Sequence, residues 1–322
     1  MILMNTWTTR AVTAATASAA ALALAGCGTS DDAAAGGGDG LTVVAGFYPL
    51  EWAAQRVGGE RLEVSSLTPP GAEAHDLELA PQDVAAVAEA DLLVYLEGFQ
   101  PALDEAAATE AADTAWDAGQ AADLSLTAEE HGHEGETAEE HAEHAEDEEA
   151  LDPHFWLDPT RLASVGDALA GRLAEADPDG AATYEQNAAA LRADLEALDA
   201  EMQAGLADCA VDTLVTSHDA FGYLADRYGL EVVGISGLSP SAEPDPAQLA
   251  EITALVQERG VSTVYTETLV DPAVAETVAE EAGVQTAVLD PLEGLTDESA
   301  GSDYLEVMRA NLATLQEGQS CA

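Results

Sequence analysis

A chain of 322 residues with 62 Asp and Glu against 9 Lys and Arg carries a formal net charge of −53. Such a surface repels phosphate, which argues against nucleic acid and anionic lipid headgroups as partners and leaves cations as the natural guests. With 47% hydrophobic residues the chain can still bury one large or two medium cores.

Residues 1–26 read as a secretion signal. Arg10 is the only charge in the first ten residues, residues 11–25 carry none, and the run ends in Leu24-Ala25-Gly26-Cys27. This segment is too short and too alanine-rich for a spanning helix, and the small residues before Cys27 suit cleavage with lipid attached to the new terminal cysteine. Residues 27–40, rich in Ala, Gly and Asp, read as a flexible tether. The expected location is therefore extracytoplasmic, held to the membrane by lipid on Cys27. Cys209 and Cys321 remain as a pair in an oxidising compartment, and a disulfide between them is expected.

Beyond the tether, short apolar runs alternate with helical patterns. Residues 41–45 and 61–67 read as strands and 51–57 as part of a helix. A Pro- and Gly-containing loop over 68–76 follows, then a helix over 81–90, a strand over 91–96, a helix over 101–112 and a weak fourth strand over 122–126. Residues 41–159 thus form one α/β lobe. Within it, 127–150 carries His131, His133, His141 and His144 among many glutamates, with no apolar periodicity, and reads as a disordered loop.

Residues 160–207 read as linking helices, one to 176 and a long one after the break Asp177-Pro178-Asp179-Gly180. The apolar stripe Tyr184, Ala188, Leu191, Leu195, Leu198, Met202 and Leu206 steps by threes and fours. At 1.5 Å per residue this helix reaches roughly 40 Å, enough to run along two lobes. Residues 208–322 repeat the alternation, with strands over 213–216, 231–235, 263–266 and 286–289, a helix from about 246 and a last helix from about 303. The fold class expected is α/β, two lobes each built on a mostly parallel four-stranded sheet and joined by a long rigid helix.

The candidate ligands fall at strand ends. His75 follows the second strand, His218 lies just beyond 213–216, Glu267 ends 263–266 and Asp290 ends 286–289. Loops at the carboxyl edge of a parallel sheet leave a crevice where ligands bind. His154 lies between Pro153 and Pro159 in Asp152-Pro153-His154-Phe155-Trp156-Leu157-Asp158-Pro159, where the prolines fix the backbone and the aromatic pair can anchor it. Outside the acidic loop the only histidines are His75, His154 and His218. Three imidazoles and one carboxylate make a closed set that suits tetrahedral Zn²⁺, with Asp290 the better-placed oxygen and Glu267 the second choice.

Several stretches taken together resemble the solute-binding lipoproteins of zinc or manganese ABC importers, the ZnuA/TroA-type family. They are GAEAHDL at 71–77, the acidic histidine loop, DPHFWLD at 152–158, SHDAFGYLADRYGL at 217–230, Glu243-Pro244, Glu267-Thr268 and LDPLEGL at 289–295. The resemblance implies metal held between two α/β lobes, delivery to a membrane permease, and no enzymatic activity. Carried over by position, the family's ligands fall on His75, His154, His218 and Asp290. Some zinc-binding members carry glutamate directly before the first histidine, where this chain has Ala74, with Glu73 one position further back. Additional weak zinc binding by His131, His133, His141 and His144 is expected, as is a monomer. A manganese-binding homologue, a surface adhesin and a zinc hydrolase are the alternatives. The hydrolase fits poorly, because four protein ligands leave no open position for water.

Overall fold

In a computed structural model, the described residues are 40–127, 151–242 and 244–322. Gly40–Ala322 packs as one unit. Cys27 and the loop histidines His131, His133, His141 and His144 lie outside the described residues.

The first half opens with β1 (Leu41–Ala45), α1 (Tyr48–Gly58) and β2 (Leu62–Ser66). It continues with α2 (Pro81–Glu89), β3 (Leu92–Tyr95), α3 (Pro101–Glu110), β4 (Ala115–Asp117) and the short α4 (Gly119–Ala122). All four strands pair in parallel in the order β2-β1-β3-β4. The central strands β1 and β3 are almost continuous apolar runs because helices cover both faces of a parallel sheet.

The fourth strand is not at 122–126. Ala115, Trp116 and Asp117 pair with Leu93, Val94 and Tyr95 instead, while 119–122 is helical. Three residues in an alanine-rich stretch carry no period of their own, so the open edge of β3 decides where this strand forms.

Two helices follow, α5 (Pro159–Ala176) and α6 (Ala181–Leu206). Asp158 caps α5, its carboxylate accepting from the Thr160 amide, and Pro159 occupies the first turn, where its missing N–H costs nothing. The residues buried along α6 are the seven of the predicted stripe plus Asp199. At roughly 1.5 Å per residue, its 26 residues span about 39 Å.

The second half comprises β5 (Thr213–Thr216), α7 (Gly222–Tyr228), β6 (Glu231–Gly234), α8 (Pro246–Arg259) and β7 (Thr263–Thr266). It ends with α9 (Ala273–Ala282), β8 (Gln285–Val288) and α10 (Tyr304–Gly318). Its sheet is again parallel, in the matching order β6-β5-β7-β8. One apolar cluster runs from Val43 and Phe47 through Trp156, Leu191 and Leu198 to Leu289 and Tyr304, while each sheet keeps a separate cluster on its other face. The long helix α6 packs against α1 of the first half and α10 of the second, so a single rigid element supports both.

Contacts between the halves fix the 152–159 segment. The Trp156 indole donates to the Pro291 carbonyl at 2.7 Å, and the Tyr304 hydroxyl donates to the Trp156 carbonyl. The Trp156 ring packs against Phe47 at 4.8 Å. Cys209 and Cys321 form a disulfide that ties the end of the chain to the residues after α6. No helix among the described residues is long and apolar enough to cross a membrane.

Candidate metal centre

His75 sits in the loop that leaves β2, and that loop is held from below. The Gln100 amide donates to the Ala74 carbonyl at 2.9 Å and to Thr68 Oγ1 at 3.0 Å, while Thr68 Oγ1 donates to the Gly46 carbonyl. The imidazole lies edge-on to Phe99, ring centroids 4.6 Å apart. Burial lowers its pKa, favouring the neutral ring that a metal requires.

His154 is fully buried, and its Nδ1 lies 2.7 Å from Asp152 Oδ1, which also accepts from the His154 amide. His218, at the end of β5, is equally buried, with Nδ1 2.8 Å and 2.9 Å from the two oxygens of Glu267. A ring that donates Nδ1–H to a carboxylate turns the lone pair of Nε2 outward, and the carboxylate increases its basicity. For both rings burial opposes the charged form, but the carboxylates prevail. Asp152 and Glu293 raise the pKa of His154, and Glu267 and Glu293 raise that of His218 well above the ordinary range. The His218 loop depends on a close approach of backbone at Gly234, where a Cβ would stand 2.7 Å from the Asp219 nitrogen and 2.4 Å from the Ser236 oxygen.

The three Nε2 atoms converge with the carboxylate of Glu293. His154 Nε2 is 3.3 Å from that of His75 and 3.4 Å from that of His218. Glu293 Oε1 lies 3.5 Å from His75, 3.5 Å from His154 and 3.3 Å from His218. A tetrahedral ion with Zn–N and Zn–O bonds of about 2.0–2.1 Å requires ligand-to-ligand edges of roughly 3.3–3.4 Å. Five edges of such a tetrahedron are therefore already laid out. Among the described residues this is the one grouping of His, Cys, Asp or Glu with metal-binding geometry.

Glu293 is 1% exposed, and neither oxygen makes a regular hydrogen bond. Burial alone would raise its pKa, yet the interaction with His154, His218 and His75 drives it well below the usual carboxylate range. A buried carboxylate whose oxygens make no regular hydrogen bond stands among three imidazole nitrogens, an arrangement that a cation would complete.

The structure thus brings together three of the residues singled out from sequence, and Glu293 rather than Asp290 stands with them. Asp290 points elsewhere: Oδ1 accepts from the Leu292 amide at 2.8 Å and Oδ2 from Ser299 Oγ at 3.3 Å. Glu267 stands behind His218, on the Nδ1 side. The physical reason is the turn after β8, where Leu292 adopts φ 60° and sends the chain back so that Glu293, five residues past the strand end, faces the imidazoles. The glutamate in LDPLEGL was visible in the sequence, but a left-handed leucine was not.

Residues 43–318 match the family profile described as zinc-uptake complex component A, periplasmic. Among curated proteins, the chain is 36% identical to the zinc-binding lipoprotein AdcA of Streptococcus pneumoniae over 283 residues, covering 86% of this chain and 55% of that protein. It is 36% identical to the high-affinity zinc uptake system protein ZnuA of Bacillus subtilis over 302 residues, covering 91% and 93% respectively. The chain thus spans about half the length of the AdcA relatives it matches and nearly all of ZnuA. Among solved structures, the laminin-binding protein of Streptococcus agalactiae superimposes with a TM-score of 0.74 at 31% identity, covering 87% of this chain and 100% of that one. Zn(II)-bound AdcA of S. pneumoniae gives a TM-score of 0.71 at 35% identity, covering 87% and 58%.

Proposed function

Because the chain belongs to the zinc-uptake complex component A family, we propose that it is the extracytoplasmic zinc-capture protein of an ABC importer. In this reading Zn²⁺ is cargo, bound between the two halves by His75 Nε2, His154 Nε2, His218 Nε2 and one oxygen of Glu293, then handed to a membrane permease. The chain acts as a monomer tethered by lipid on Cys27, and His131, His133, His141 and His144 take up further zinc weakly. Residues 41–159 and 208–322 are the two lobes, with 160–207 linking them.

The observation that carries this proposal is the set of 3.3–3.5 Å separations among four ligand atoms drawn from both halves, three of them on buried residues and one on the half-buried His75. Three nitrogens and one oxygen at tetrahedral spacing favour zinc over manganese, which prefers a larger, oxygen-rich shell. The Irving–Williams order makes most such sites bind zinc more tightly in any case, so affinity alone is a weak test. Metal analysis of protein isolated from its own cells, combined with uptake of radiolabelled zinc by cells lacking it, is decisive. Zinc in the isolated protein and impaired uptake in the deletion strain are expected. Manganese in the isolated protein, or unimpaired zinc uptake, would overturn the reading.

A further inference from the structure

The turn that delivers Glu293 is built more rigidly than a surface loop needs to be. Asp290 takes no part in the ligand cluster, but its side chain accepts from the Leu292 amide two residues on, closing an Asx turn. Its second oxygen receives the Ser299 hydroxyl. The main chain of Asp290 is gripped from α10 at both ends, since its amide donates to Asn311 Oδ1 at 3.0 Å and its carbonyl accepts from Asn311 Nδ2 at 2.7 Å. Leu292 is held in the left-handed region at φ 60° with its side chain fully buried. Leucine enters that region only where its surroundings over-determine it.

We propose that Asp290 and Asn311 are positioning residues which lock this strained turn before metal arrives, so that Glu293 offers one oxygen at a fixed point and the site selects a four-coordinate ion. This rests on the reading of Glu293 as a ligand. The geometry supports it in one respect beyond rigidity: the same oxygen, Oε1, makes all three approaches of 3.3–3.5 Å to the imidazoles. A glutamate free to swing would supply its second oxygen as well, and a site with a rising coordination number suits manganese better than zinc. Asp290 therefore sets metal preference without touching the metal.

The experiment compares Asp290→Ala, Asp290→Asn and Glu293→Ala in zinc affinity, zinc-over-manganese preference and metal-free melting temperature, using the two metals alone as probes. Asparagine keeps an oxygen for the Leu292 amide and discards the charge. Asp290→Ala is expected to lose about tenfold or more in zinc affinity and to narrow the preference for zinc. Asp290→Asn is expected to recover most of both, at a melting temperature that does not track the affinity. Asp290→Asn as deficient as Asp290→Ala would overturn the proposal, as would wild-type preference in Asp290→Ala. Unchanged zinc affinity in Glu293→Ala would instead overturn the ligand assignment on which it rests. Should Asp290→Ala fail to fold, amide exchange in the wild-type metal-free protein tests the same point. Protection of the Leu292 amide before metal is added is expected, and protection that develops only with zinc would overturn a preformed turn.

Discussion

His75 and His218 come from sheets of identical strand order, yet they are held in different ways. His75 leaves the edge strand β2 on a loop braced through its main chain by Gln100 and sits against the edge of Phe99. His218 leaves the central strand β5, and its ring is gripped directly by Glu267. Burial lowers the pKa of His75, whereas for His218 Glu267 and Glu293 overcome burial and raise it. One half therefore presents a pre-aimed imidazole with enhanced basicity, and the other a neutral imidazole on a braced loop. Under the proposed capture and delivery of zinc, the difference would let the His75 arm yield while the His218 arm stays in register.

Removing a ring breaks the comparison most severely. His218→Ala is expected to lower zinc affinity beyond the ~100-fold that marks the upper end for losing an outer partner of a ligand. The apo fold should persist in circular dichroism. Unchanged affinity in a calorimetric or chelator competition would remove His218 from the site.

Glu267→Gln sharpens the contrast, because it keeps the ring but weakens its grip. A loss of ~10–100-fold is expected, measured in the same competition. Gln100→Leu acts on the other arm through two hydrogen bonds, to the Ala74 carbonyl and to Thr68 Oγ1, neither of which touches the ring, so its cost should stay below that of Glu267→Gln. A larger loss from Gln100→Leu than from Glu267→Gln would reverse the assignment of firm and yielding arms.

The smallest effect is protonic. Ligand nitrogens must be deprotonated to bind, and the upward pKa shifts of His154 and His218 favour the charged form in the metal-free protein. Zinc binding should therefore release protons, and affinity should fall as pH falls. Calorimetry in buffers of different ionisation heat should show less proton release in Glu267→Gln, which removes a main cause of the upward shift at His218. Equal release in both proteins would show that the charge on His218 does not depend on Glu267.

Much of this arrangement was legible in the sequence because it rests on periodicity and rarity. The α6 stripe from Tyr184 to Leu206 is read from spacing alone, and only three histidines outside the acidic loop had to be placed. The central strands β1, β5 and β7 are apolar enough to announce themselves. What could not be read depended on long-range decisions. β4 forms where the edge of β3 allows it, in three residues that have no pattern. That Glu293 rather than Asp290 faces the imidazoles depends on a left-handed Leu292 and on Asn311, which reaches back from α10 across 21 residues of sequence. A strand-end rule favours the nearer carboxylate, and only the turn shows that the farther one faces the imidazoles.

The most direct test is a crystal structure of the zinc-loaded protein with the metal located by its anomalous signal. One ion is expected within about 2.0–2.2 Å of His75 Nε2, His154 Nε2, His218 Nε2 and a single oxygen of Glu293, with Glu267 behind His218 and Asp290 still bonded to the Leu292 amide. Zinc bound through Asp290 or Glu267, or held by the three histidines with Glu293 turned away, would contradict the account.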